Sequence, residues 1–194
     1  MRRPDPMSEA THLTLTQRLG LDDGGADAFR DMVSGLGGTA GRDLSQIMDR
    51  LGSGQGLRAA LDLPPETVDI LYAQAFGRFN AGQLGEAEAL FRGLCLLAPE
   101  TVDHWLGFGI CQRMAERFEA ARMAFDIALD LPGDAAVVRF HRAELACREG
   151  QWREAATEAQ AYHAAPDTQR KQALGAEMMR IDALLAERGT GPRR

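Results

Sequence analysis

Aromatic residues are scarce in this 194-residue sequence, at 6%, and Val and Ile are few. A large β-sheet draws on both classes and is not expected. No apolar run approaches the ~20 residues of a membrane span. The opening MRRPDPMSEATHL follows its two arginines with no apolar segment, unlike a secretory leader. The three cysteines, Cys95, Cys111 and Cys147, are far apart and share no CxxC spacing. An odd, scattered set without a leader fits free, buried thiols in a reducing cytoplasm rather than a disulfide frame or a metal site. Excess positive charge is also missing. The 22 Lys and Arg face 28 Asp and Glu, for a net charge of −6, and the basic clusters Arg2-Arg3 and Arg193-Arg194 stand at the two ends. That excludes the basic stripe a nucleic-acid binder needs.

The patterns of catalysis are absent as well. His12, His104, His141 and His163 fall in no HExxH or nucleophile motif, and no GxSxG occurs. His104 and His141 therefore read as packed or surface side chains. The run GLGGTA at 35–40 nearly matches a dinucleotide fingerprint but follows no strand, and GSGQG at 52–56 has neither the Lys nor the spacing of a phosphate loop. Glu86 and Glu88 read as part of a solvated helix face. The sequence predicts no catalytic residue, no metal ligand, no cofactor and no membrane or nucleic-acid partner.

What is present is helix former. The hydrophobic fraction is 45%, rich in Ala and Leu, and Ala, Leu, Arg and Glu have the best helix propensities. Short helical patterns at Ala26–Leu36 and Asp43–Leu51 precede a long helical region. That region repeats. Ala87, Ala121 and Ala155 are spaced by 34 residues, as are Ala75, Gly109 and Ala143. Leu84, Phe118 and Trp152 share the interval, as do Phe91 and Phe125. Gly82 and Gly150 are two intervals apart, with Glu116 in the middle slot. Pro99, Pro132 and Pro166 close the units within a residue of the period, because proline cannot continue a helix. A 34-residue helix–turn–helix unit is the tetratricopeptide repeat, and its small residues let the two helices of a unit approach closely.

The sequence thus predicts an all-α right-handed superhelix of three helix pairs with flanking N-terminal helices and a capping helix. The expected segments are an extension at 1–42, a helical segment at 43–67, repeats at 68–101, 102–135 and 136–169, a capping helix at 170–189 and a tail at 190–194. The cap should start at Asp167 or Thr168, end at Gly189, and bury Leu174, Met178, Ile181 and Leu185.

Several runs in this register, LYAQAF (71–76), FRGLCLLAP (91–99), WLGFGICQ (105–112) and FHRAEL (140–145), resemble the class II chaperones of bacterial type III secretion, the LcrH/SycD family. GLRAALDLPPETVDILY, just before, resembles that family's entry segment. The resemblance covers residues 52–185. It implies a cytoplasmic protein that is not an enzyme. Such a protein holds hydrophobic translocators soluble and apart before export, with an extended N-terminal translocator segment in a concave groove. Family members often dimerise through N-terminal helices, which points here to Asp43–Leu61, and some assist a transcription activator. In the repeat register the A helices line the groove at positions 2, 5, 9 and 12. Carried over, the groove aromatics are Tyr72, Phe76 and Phe79, followed by Leu106 and Ile110 on the second A helix and Phe140 on the third. Asp103, Arg113, Val137, Glu144 and Cys147 fill the remaining groove slots of those helices. Arg78 stands where the register has an aromatic core residue. The alternatives are a general interaction scaffold, a partner of a transcription factor, or a groove covered by the protein's own N-terminal segment.

Overall fold

Three hydrogen-bonded turns at equal spacing set the architecture of the chain. At each, one residue takes a left-handed conformation: Gly82 (φ 74), Glu116 (φ 59) and Gly150 (φ 71). The amide of the next residue returns to the carbonyl five back, Gln83 to Arg78, Arg117 to Gln112 and Gln151 to Ala146, at 2.9, 3.0 and 2.8 Å. This is the Schellman ending of a helix, and it turns the chain at once into the next one.

The computed structural model describes residues 44–189, and the chain divides into two compact units, Met1–Leu63 and Pro64–Arg194. The helical pattern read at Ala26–Leu36, the remainder of the 1–42 extension and the tail at 190–194 lie outside the described residues. In the first unit, α1 (Leu44–Gly52) and α2 (Leu57–Ala60) are joined through Arg50, whose Nη1 donates to Asp62 Oδ1 at 2.8 Å. Ile47, Leu57, Ala60 and Leu61 are buried.

The second unit holds α3 (Glu66–Asn80), α4 (Leu84–Leu97), α5 (Val102–Met114), α6 (Phe118–Asp130), α7 (Ala135–Arg148), α8 (Trp152–Ala164), α9 (Gln169–Ala173) and α10 (Gly175–Gly189). Each helix from α3 to α8 packs on the next, giving three antiparallel pairs. Among the described residues there are ten helices and no strand, so the class is all-α.

The repeating columns explain the packing. Leu84, Phe118 and Trp152 each begin the second helix of a pair, the B helix. Ala87, Ala121 and Ala155 are fully buried, as are Ala75 and Ala143. Gly109, which shares the column of those last two, lies so close to its B helix that a Cβ would sit 2.5 Å from the Phe125 ring. Phe91, Leu94, Trp105, Phe125 and Leu145 fill the space between pairs. The corner from α4 to α5 is fixed by Trp105 Nε1, which donates to Pro99 O at 2.7 Å, and by His104 Nδ1 against Ala98 O at 3.0 Å.

The cap differs from the single helix expected. The chain bends at Leu174, leaving a short α9 before α10. Thr168 accepts from Lys171 N as the N-cap of α9 and donates to Asp134 Oδ2 at 2.5 Å. Met178 and Ile181 of α10 are buried against Ala136, Phe140, Ala143, Ala159 and Tyr162, with Leu174 and Leu185 at the edge.

Candidate functional site

The first helices of the first two pairs each turn one row of side chains toward a single hollow. On α3 the row is Tyr72, Phe76 and Phe79; on α5 it is Asp103, Leu106 and Ile110. Helical periodicity puts residues three and four apart on one face, so each row presents as a stripe. Phe91 and Gly107 form part of the lining, Val137 and His141 of α7 add a further wall, and Arg170, Ala173 and Leu174 border it from the C-terminal segment. The hollow measures about 290 Å³. Gly107 is needed at its base, since any Cβ there would run into the ring of Phe91.

Five of the six residues expected in the groove, Tyr72, Phe76, Phe79, Leu106 and Ile110, are brought together here. Their burial differs. Phe76 is 52% exposed, a large apolar ring in water, whereas Leu106 is 5% exposed and forms part of the floor. Tyr72 is half-buried, edge-on to Phe91 with ring centroids 6.1 Å apart and tilted against His104 at 5.9 Å. Burial pushes its hydroxyl up, and Asp103 adds to the effect, so the phenol stays neutral.

Phe140 is elsewhere. It is 5% exposed, lies in the core beneath α10 and does not line the hollow. The register places the third A helix beside the groove, but the cap needs an apolar face to bury its own, and it takes Phe140. Val137, three residues before it, and His141, the next residue, face the hollow. His141 was not singled out for the groove by the sequence reading. The available signal was its place one turn beyond Val137 on the same helix.

Polar groups bound the hollow. Arg170 pairs with Asp103 at 2.7 Å across its rim. His141 stacks on Phe125, ring planes 16° apart, and its Nδ1 lies 3.4 Å from Glu144. Burial holds His141 below its ordinary value, more strongly than Glu144 raises it, so the ring is neutral at pH 7. Glu144 also forms an ion pair with Arg113 of α5.

Outside the groove, one of the two carboxylates read as a solvated face is solvated and the other is not. Glu86 is exposed and pairs with Arg78 at 3.0 Å, so the arginine in the register's aromatic slot lies on the surface. Glu88 is not solvated: its side chain is 14% exposed and is held by Arg92 and by Arg117 of the next pair. Cys95 and Cys111 are buried free thiols, and Cys147 is half-buried. Burial pushes Cys111 up to about 11. No group of residues suited to hold a metal ion occurs among the described residues, and none of their helices is long and apolar enough to cross a membrane.

No family model matches the chain. The chaperone protein SicA of Salmonella typhimurium is 30% identical over 90 residues, covering 46% of this chain and 54% of SicA. The chain thus spans about half the length of this curated relative. Among solved structures, PcrH of Pseudomonas aeruginosa in complex with the chaperone-binding region of PopD is 25% identical with a TM-score of 0.59. That match covers 66% of this chain and 96% of PcrH. The Yersinia enterocolitica type III secretion chaperone SycD, bound to a peptide of the translocator YopD, shares the fold with a TM-score of 0.60 at 19% identity. It covers 66% of this chain and 98% of SycD. In its repeat pattern, in sequence and in helical architecture, the chain resembles the class II translocator chaperones of type III secretion.

Proposed function

We propose that this protein is a cytoplasmic secretion chaperone, not an enzyme. It holds an extended apolar segment of a hydrophobic translocator in the groove and keeps that cargo soluble and unassociated before export. The observation that carries the reading is Phe76, half in water beside Tyr72, Phe79, Leu106 and Ile110. Leaving a large apolar side chain unburied forgoes about 1.5–3 kcal/mol, and a grouped set of such rings marks a binding surface. The chaperones it resembles hold translocator segments, as the PopD and YopD complexes name. Holding needs shape and apolar anchors and no turnover. A segment that orders on binding loses entropy, which keeps affinity moderate and release easy. The 43–67 segment is the candidate for self-association, and a transcription activator is a candidate second partner. A general scaffold would use the same groove for some other envelope machine.

Purification from the native host, with identification of what accompanies the protein, tests the reading directly. A long protein with one or two membrane spans is expected. Calorimetry with that partner's N-terminal peptide should then show Phe76→Ala weakening binding by about 2 kcal/mol, near thirtyfold. Tyr72→Ala should weaken it at least as much. Unchanged affinity in both folded variants would remove the groove from the mechanism.

A further inference from the structure

Beyond the apolar hollow the rows of α5 and α7 continue into a charged cluster. Arg113 follows Asp103, Leu106 and Ile110 on α5, one turn further on, roughly 4–5 Å along the axis. Glu144 follows Val137 and His141 on α7 in the same way. Arg113 is buried, its side chain 7% exposed, in a row whose other members face the hollow. Its Nε makes no hydrogen bond, while its Nη1 is held by Glu144 in a close ion pair. Glu144 is also shared with His141 at 3.4 Å and with Arg148 at 3.8 Å. One carboxylate thus serves two guanidiniums and an imidazole, and the cluster carries a net positive charge. A buried donor without an acceptor is costly, and a guanidinium more than most.

We propose that Arg113 is the polar reading head of the groove: it takes a carboxylate of the bound segment, from an Asp or Glu placed a few residues from the apolar anchors. This rests on the reading of the groove as a cargo site and adds a specificity element to it. The apolar hollow alone would accept any greasy segment. A half-satisfied buried arginine penalises segments that bring no acceptor and favours those that do. An acid arriving there would complete the guanidinium's fork with charge-assisted hydrogen bonds, which are stronger than neutral ones.

The experiment is selection of a phage-displayed random dodecapeptide library on the wild-type protein, on Arg113→Met and on Arg113→Met/Glu144→Gln. The double variant removes both charges, so that no carboxylate is left without its partner. On wild type, peptides with apolar anchors and an Asp or Glu at a fixed offset are expected. Changing that acid to its amide in a selected peptide should lower affinity about tenfold, the scale of one charge-assisted hydrogen bond. On the folded variants the same change should cost less than about twofold, judged on that same scale. Apolar peptides without acidic enrichment, or an amide change that is silent on wild type, would overturn the role of Arg113 and leave the groove standing. An equal loss on wild type and variants would place the contact elsewhere and overturn it too. Failure to select apolar peptides at all would overturn the cargo reading and this inference with it. The amide change is made in the peptide, so a silent change on wild type overturns the inference even where a variant folds poorly.

Discussion

Glu116 is the one residue of its column that is not glycine, and it carries the backbone of its neighbours at φ 59. A left-handed conformation costs an ordinary L-residue roughly 1–2 kcal/mol, while glycine adopts it freely. Glu116→Gly should therefore stabilise the protein by about 1 kcal/mol, less the added freedom of the unfolded chain; urea unfolding with an unchanged slope would show it. A second residue-scale consequence concerns acid. Burial lowers His104 and His141 from 6.5, outweighing the Ala98 carbonyl at the first and Glu144 at the second. Below about pH 6.5 the unfolded chain takes up protons that the folded histidines refuse. Stability is thus full above that pH and declines as pH falls toward the folded values. Denaturation midpoints at pH 7.5 and 5.5 should show the loss, and His104→Asn should flatten it. The small-residue columns were legible in sequence because contact between helix axes tolerates nothing larger. The strain at Glu116 was not, since its side chain alone announces nothing about φ.

At the scale of the helix, ion clusters join successive pairs, and they alternate in sign. Glu88 of α4 is held by Arg117, whereas Arg122, the same column one repeat on, is held by Glu149 and Glu154 at 2.5 Å each. Reversal within a column hides such contacts from any search for repeated residues, which is why Glu88 read as solvated. Lys171 is the other device of this kind. Buried to 8% exposure, its Nζ donates to the carbonyls of Ala165 at 2.5 Å and His163 at 3.3 Å and faces Asp167 at 3.1 Å. It also stands 5.4 Å from the centre of the Tyr162 ring, whose hydroxyl donates back to Lys171 O at 2.7 Å. One side chain thus caps α8 and pins α9 to it. Lys171→Met should cost about 2–3 kcal/mol, the worth of charge-assisted bonds to otherwise unpaired carbonyls. Amide exchange should quicken first in α8 and α9.

In the whole second unit, each helix pair depends on its neighbours, as in any solenoid. The first pair has α3, with Ala75 its one buried residue, and the last has α10. A chain stopped after Thr168 would uncover Phe140 and Tyr162 and forfeit the burial of Met178 and Ile181, roughly 3–6 kcal/mol at the usual value per side chain. Its α7 and α8 should lose amide protection well before α4 and α5, and equal loss throughout would contradict a stepwise array. The pairs and their order were legible because one period governs several independent columns. The fate of Phe140 was not, because a periodic register describes an interior repeat and the end of the array obeys the cap. That same end helps shape the hollow, through Arg170, Ala173 and Leu174. At about 290 Å³ the hollow is near the lower bound of sites that take drug-sized molecules, about 300 Å³. A hollow of that capacity with aromatic walls has room for one compact ring, so a small heterocycle wedged among Tyr72, Phe76 and Phe79 would occupy the space that the proposed cargo anchor needs.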